Sequence, residues 1–458
     1  MSFSLDNIEK NSHIHFIGIG GISMSGLAII MCENGYKVTG SDREESRITK
    51  KLENLGAKVF FGHKKENAQG ADVIVYTAAV HDDNPEIIYA KEAGIPLISR
   101  AEFLGAIMKT YKYACGIAGT HGKTTTTSML AYALIHSELD PTISVGGELD
   151  IIGGNIKTGN SDYFITEACE YTNSFHSFFP TIAVITNVDE DHLDFFKDIE
   201  DIRQSFRKYA LLTKNIGYVV ASGMDDNIRL ALSDTDLDVK YYGIGDGSEY
   251  HAENISYVNG FPTFQVWHYH DLLCKLTLQV PGEHNILNAL ATIAVCHLWD
   301  AQIPLVKKGI EAFRGCGRRF EEKGFYNGAK IMDDYAHHPT EIKATLNSAN
   351  KMEKNKLWCI FQPHTYSRTR TLWDEFVESF DNCDELILTK IYAARELPDG
   401  VTTSEKLAEE IAKRGVNVRY FDDFSDIEQL LKAELQEGDL AFTMGAGNVY
   451  VIGENILK

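Results

Sequence analysis

The sequence predicts an α/β protein divided into three domains. Three observations carry this expectation. Short apolar runs alternate with helical patterns from one end of the chain to the other, the rhythm of parallel strands joined by covering helices. The chain has 458 residues, which at roughly 100–200 residues per domain suggests more than one core. The rhythm also changes near residues 108 and 317, which gives expected domains of 1–108, 109–317 and 318–458.

The elements follow in order. In the first part "IHFIGIG" (14–20) reads as a strand and "SMSGLAIIMCENG" (23–35) as a helix. "YKVTGSD" (36–42), "ADVIVYTAAV" (71–80) and "IPLIS" (95–99) read as further strands. "AEFLGAIMKTYKYA" (101–114) has a helical pattern and leads into the central part, whose first strand-like run is "YACGIA" (113–118). "DYFITEAC" (162–169) and "TIAVITNVD" (181–189) are both read as apolar runs ending in acids. Between Tyr241 and Val280 the pattern alternates, as in "FPTFQVWHYHDLLCKLTLQV", and predicts an antiparallel insertion. "NILNALATIAVCHLW" (285–299) reads as a helix. The last part returns to α/β, with "KLWCIFQPH", "DELILTKIY" and "GDLAFTMGAGN" as strands.

Composition narrows the function. Hydrophobic residues make up 44% and charged residues 24%, the profile of a soluble globular chain. The net charge of −21 argues against coating a nucleic acid. It also means that an anionic substrate must be met by local positive groups. The eight cysteines form no CxxC pair, so the expectation is free thiols in a reducing compartment. No apolar run approaches the ~18 residues of a membrane span, and the first residues carry acids instead of a secretory core. A cytoplasmic protein is expected.

"GIAGTHGKTTTTSML" (116–130) carries the most chemistry. It departs from the strict G-x-x-x-x-G-K-[ST] loop because Ile117 stands at the first glycine. Gly119, Thr120, His121, Gly122, Lys123, Thr124 and Thr125 still supply converging N–H groups, a lysine for β/γ-phosphates and a hydroxyl for Mg²⁺. A threonine-capped turn before a helix is the plain alternative. Acids at strand ends are the usual partners of such a metal. Glu167 with Glu170, and Asp189–Asp191 with His192, are the two candidate groups, and a solvated loop fits either equally. "GIGGISMSG" (18–26), with Asp42 downstream, reads as a diphosphate loop at a helix N-terminus; UDP fits it as well as NAD. "DDYAHHPTE" (333–341) and "FQPHTYSRTR" (361–370) place histidines and arginines at strand ends, suited to carboxylate or phosphate recognition.

Together these stretches resemble the Mur ligase family. The likeness is carried by "HFIGIGGISMSGLA", "GTHGKTTTT", "EACEYTNSF", "TNVDEDHLDFF", "PGEHNILNALA", "GRRFE", "DDYAHHPTEI", "FQPHTYSRT" and "GAGNVY". The resemblance implies a Rossmann-like UDP-binding domain, a central P-loop ATPase domain with a mainly parallel sheet, and a C-terminal Rossmann-like α/β domain that closes over the nucleotide. It implies ATP-dependent ligation of L-alanine to the lactyl carboxylate of UDP-N-acetylmuramate, with Mg²⁺ or Mn²⁺, in a monomer or weak homodimer. Alternatives are a recycling ligase that attaches a tripeptide, a P-loop nucleotide switch and an NAD oxidoreductase.

By motif matching, Lys123, Glu170, His192, His338 and Arg368 are the implied catalytic residues. Thr124, Glu170 and His192 would surround the metal. The 119–125 loop, His284, Asn285, Asn288, Arg319 and Asp334 would bind ATP. Gly18, Gly20, Gly21, Ser23, Asp42 and Thr77 would bind the UDP-sugar. His338 and Arg368 would position the amino acid. Two positions depart from the common wording: Cys169 and Tyr171 flank Glu170, and Thr365 stands where many relatives carry arginine.

Overall fold

A computed structural model describes residues 3–5, 8–77, 79–193, 195–245 and 247–458. Ala78 of the expected strand 71–80 and Asp194 of the quoted 186–196 motif lie outside these residues.

Three sheets are drawn in turn from the chain. The first comprises β1 (His13–Ile17), β2 (Lys37–Asp42), β3 (Lys58–Phe61), β4 (Val73–Tyr76) and β5 (Leu97–Ser99), ordered β3-β2-β1-β4-β5 and parallel throughout. The strand order reverses beside β1, so the loop after β1 opens at the crevice where open α/β sheets bind ligands. The expected strand 71–80 is shorter than its apolar run, and the helix expected to reach residue 114 spans Arg100–Met108. Tyr113 and Ala114 begin a strand instead. A short apolar run flanked by turns fits either element by pattern, and pairing with a neighbouring strand decides it.

The second sheet has ten strands: β6 (Tyr113–Ala118), β7 (Thr142–Leu149), β8 (Gly154–Lys157), β9 (Tyr163–Glu167), β10 (Ile182–Ile185), β11 (Tyr218–Ser222), β12 (Val239–Ile244), β13 (Tyr250–Val258), β14 (Phe261–His268) and β15 (Asp271–Thr277). Its order is β15-β14-β13-β12-β11-β10-β6-β9-β7-β8. The strands from β7 to β13 pair in parallel. Antiparallel hairpins extend both edges. The alternating segment expected from Tyr241 is therefore no separate insertion. Antiparallel pairing starts only at β13, and Tyr241 lies in the parallel strand β12.

The third sheet joins β16 (Glu321–Tyr326), β17 (Ala329–Asp334), β18 (Leu357–Phe361), β19 (Glu385–Thr389), β20 (Val418–Phe421) and β21 (Leu440–Met444) in the order β16-β17-β21-β18-β19-β20. Only the β16–β17 hairpin is antiparallel.

The cores are unequal in how they connect. One apolar cluster runs without a break from Phe16 and Phe103 under the first sheet to Phe175, Phe206 and Tyr209 in the second. The third unit buries its own clusters, around Phe361, Phe376 and Phe442 on one face and Trp358 and Ile387 on the other. Among the described residues no helix is long and apolar enough to cross a membrane.

Candidate active site

The central site starts at the carboxyl end of β6. The loop 119–122 leads into the helix Lys123–His136, so its N–H groups and the helix's positive end face the same space. Two backbone features require glycine. Gly119 has φ +143°, and a Cβ there would lie 1.9 Å from Thr186 Oγ1; Gly122 has φ +83°. The loop is also tied from the next strand: Asn187 Oδ1 accepts from His121 N at 2.8 Å, and Thr186 Oγ1 donates to His121 O at 2.6 Å. "TN" after β10 thus shapes this glycine loop, a role the sequence reading did not give it.

Lys123 folds back over this loop. Its Nζ donates to Gly119 O, to Thr120 O at 3.1 Å, and to both Glu170 oxygens at 3.0 Å. Burial opposes the lysine charge, but the Glu170 carboxylate outweighs it and raises the lysine pKa. His192, held at φ +54°, brings Nε2 to 3.6 Å from Glu170 Oε1. A carboxylate and an imidazole converging at that spacing fit a shared divalent cation, and Thr124 stands in the first turn of the adjoining helix. The donor set suits Mg²⁺ or Mn²⁺ better than a soft metal, because it offers a carboxylate, a hydroxyl and an imidazole, and the half-buried Cys169 thiol beside it is pushed up in pKa mainly by desolvation.

A cavity of about 460 Å³ opens on the other side of the loop. His121, Gly122, Thr125, His284, Asn285 and Asn288 line one wall, and Arg319 and Asp334 come from the third unit. A side-chain chain stiffens the floor: Thr126 Oγ1 donates to Asn288 Oδ1 at 3.1 Å, and Asn288 Nδ2 donates to Asn285 Oδ1 at 3.0 Å. Burial holds the His284 pKa down at about 4, so the ring is neutral near pH 7. Burial raises Asp334 to about 6, even though Arg319 opposes the rise. Asp225, Asp226, Asn227 and Tyr242 also line the cavity. They had no motif to mark them.

The third unit meets this site through a set of hydrogen bonds and ion pairs. His338 donates from Nε2 to Glu190 O at 3.0 Å and caps the helix Pro339–Asn350. Thr340 Oγ1 donates to Asp189 Oδ2 at 2.7 Å. Arg368 donates from Nη2 to Asp191 Oδ1 at 2.9 Å. His121 lies between two carboxylates, with Nδ1 3.3 Å from Glu341 Oε1 and Nε2 3.4 Å from Asp189 Oδ2. Burial would lower its pKa, but the two acids raise it to about 9. Glu341 also faces His337 at 3.2 Å and Arg319 at 3.6 Å. The resemblance placed His338 and Arg368 beside the amino acid; here His338 is held by the Glu190 backbone carbonyl and Arg368 by the Asp191 carboxylate of the central unit. Glu341 belongs to a quoted motif, yet only the structure reveals it as a junction.

In the first unit, the loop after β1 brings Gly18, Gly20 and Gly21 to the start of the helix Ile22–Glu33, with Ser23 in its exposed first turn. Asp42 ends β2 and accepts from Gly20 N at 2.7 Å, so it pins the loop. The Thr77 methyl lies under Gly18.

Comparison with known proteins gives a consistent pattern. Three family models match successive stretches: "Mur ligase family, catalytic domain" over residues 13–112, "Mur ligase middle domain" over 117–296, and "Mur ligase, glutamate ligase domain" over 318–447. The chain is 52% identical over 447 residues to a UDP-N-acetylmuramate–L-alanine ligase of Clostridium botulinum, covering 97% of each chain. It is 50% identical to the enzyme of that name from Caldanaerobacter subterraneus, covering 99% of this chain and 98% of that one. Among solved structures it resembles the UDP-N-acetylmuramate-alanine ligase of Thermotoga maritima, with TM-score 0.79, 30% identity, and coverage of 97% and 98%. It also resembles a murein peptide ligase of Psychrobacter arcticus, with TM-score 0.68, 25% identity and the same coverage.

Proposed function

The chain belongs to the Mur ligase family, and from that premise we propose that it joins L-alanine to the lactyl carboxylate of UDP-N-acetylmuramate, consuming ATP, in peptidoglycan precursor synthesis. One observation carries the reading: Lys123, whose Nζ meets Glu170, directly follows Gly122 in the wall of a cavity lined by His284, Asn285, Asn288, Arg319 and Asp334. The identity to alanine ligases along nearly the whole chain favours a single amino acid over a tripeptide as the amine.

A carboxylate acylates poorly because oxide is a hopeless leaving group. A carboxylate oxygen therefore attacks the γ-phosphorus of ATP, the bridging β–γ P–O bond breaks, and ADP departs. The alanine nitrogen then adds to the acyl carbon of the acyl phosphate. The C–O bond to phosphate breaks, leaving an amide, phosphate and a released proton.

The protein needs no covalent nucleophile; it must align anions that repel each other. N–H groups of the 119–125 loop cradle the phosphates, and Lys123 exchanges Glu170 for phosphate oxygens. His284, Asn285, Asn288, Arg319 and Asp334 hold the nucleoside. Thr124, Glu170 and His192 would hold Mg²⁺ or Mn²⁺, which when bound neutralises phosphate charge. Gly18, Gly20, Gly21, Ser23, Asp42 and Thr77 would hold the UDP portion. His338 and Arg368 position the amine once the third unit docks. That docking excludes water from the acyl phosphate. Domain limits near residues 108 and 317, a cytoplasmic location and a monomer or weak homodimer belong to the same reading.

Phosphate release with ATP, UDP-N-acetylmuramate and L-alanine, each omitted in turn, tests the proposal. Release should require all three. Release without an amine points to a nucleotide switch, and a tripeptide that replaces alanine points to the recycling enzyme.

A further inference from the structure

Arg100 is a cation without a counterion in a place where an anion must arrive. It opens the helix Arg100–Met108 at the carboxyl end of β5, the same sheet edge that carries the Gly18–Gly21 loop. The helix start is fixed by a capping box: Glu102 N donates to Ser99 Oγ at 3.2 Å, and Ser99 N donates to Glu102 Oε2 at 2.9 Å. The nearest acid in sequence is thereby committed to the cap. Among the described residues, the Arg100 guanidinium makes no hydrogen bond or ion pair.

The helix is pressed against the segment Tyr171–Ser177 of the central unit. Gly105 permits this, because a Cβ there would stand 1.9 Å from Ser177 O. This packing turns the start of the helix toward the segment that follows Glu170, within electrostatic range of Cys169. The guanidinium is half-buried, and burial pushes its pKa below the usual arginine value. A partly buried charge with no partner is costly. Its planar fork matches a carboxylate in a bidentate fashion.

We propose that Arg100 grips the carboxylate arm of the sugar nucleotide and delivers it to the Lys123–Glu170 pair. The inference rests on the function proposed above. A ligand whose diphosphate lies on the Gly18–Gly21 loop and whose acid reaches Lys123 spans from the first unit to the second, past Arg100. The acid is repelled by Glu170, and Lys123 is shared between Glu170 and the nucleotide. A second cation resolves that conflict.

The test compares calorimetric binding of UDP-N-acetylmuramate with that of UDP-N-acetylglucosamine, the same sugar nucleotide without the lactyl ether. Wild type should prefer the acid. R100A should lose about 10- to 100-fold affinity for the acid, the range of a hydrogen bond to a charged group, and keep its affinity for the neutral sugar. R100K should lie between, and methylguanidinium should restore part of the R100A turnover. Unchanged thermal unfolding of R100K covers the case in which R100A folds poorly. Equal losses for both sugar nucleotides would assign Arg100 to the diphosphate and overturn the proposal, as would no loss. Wild type that binds the acid no better than the neutral sugar would also overturn it. Wild type that binds neither sugar nucleotide would instead remove the proposed function.

Discussion

Glu341→Gln isolates the charge that docks the third unit on the phosphate loop. Glu341 Oε1 stands 3.3 Å from His121 Nδ1 and 3.6 Å from Arg319 Nη1, and Oε2 stands 3.2 Å from His337 Nδ1. Burial opposes its charge, but His337, His121 and Arg319 hold its carboxyl well below the usual range. The rise of His121 from 6.5 to about 9 corresponds to about 3 kcal/mol at ~1.4 kcal/mol per pH unit. Asp189 and Glu341 share it, so glutamine should remove roughly half, ~1.5 kcal/mol. Because the folded His121 value lies above the unfolded one, its contribution is complete below 6.5 and disappears as pH rises through about 9. The melting gap between wild type and variant should therefore be wider near pH 6 than near pH 10, by about 1.5 kcal/mol. Relief of Glu341's own burial enters both measurements and cancels. NMR titration of the His121 ring should show its pKa falling by about one pH unit in the variant. An unchanged gap at the two pH values, with an unchanged His121 titration, would refute the reasoning.

Lys123→Ala should lower turnover by about 10²–10³-fold, the usual result of removing one donor from developing charge, and should also lower the melting temperature because Glu170 is left buried without its partner; near-wild-type turnover would remove Lys123 from the phosphates. His192→Ala should shift the Mg²⁺ or Mn²⁺ dependence of turnover to higher concentration, and an identical titration would leave the ring as a loop residue. Asp42→Ala frees Gly20 N and should weaken UDP-N-acetylmuramate binding by about 1.5–3 kcal/mol while ATP binding holds. Calorimetry showing the reverse would misplace the sugar-nucleotide site.

Backbone requirements are local, and the sequence declared them. Gly119 and Gly122, between β6 and a helix, both take positive φ, a requirement that their residue type announces. The "GEHNILN" helix start and Arg319 of "GRRFE" could be placed by motif, and they line the same cavity. Alternation of apolar runs gave three α/β units and the strand Tyr113–Ala118, but it carried the helix before that strand past Met108, where it ends. Side-chain partners were a different matter. Lys123 turning to Glu170, Asp42 pinning Gly20, and Glu341 gathering His121, His337 and Arg319 join residues up to about two hundred positions apart. Arg100 had no motif, and its lack of a partner is a property of its surroundings. A residue type fixes which charge a side chain carries. Which opposite charge it meets, and how much water remains around the pair, depends on how the three units pack, so the electrostatics of this site arose only in the folded chain.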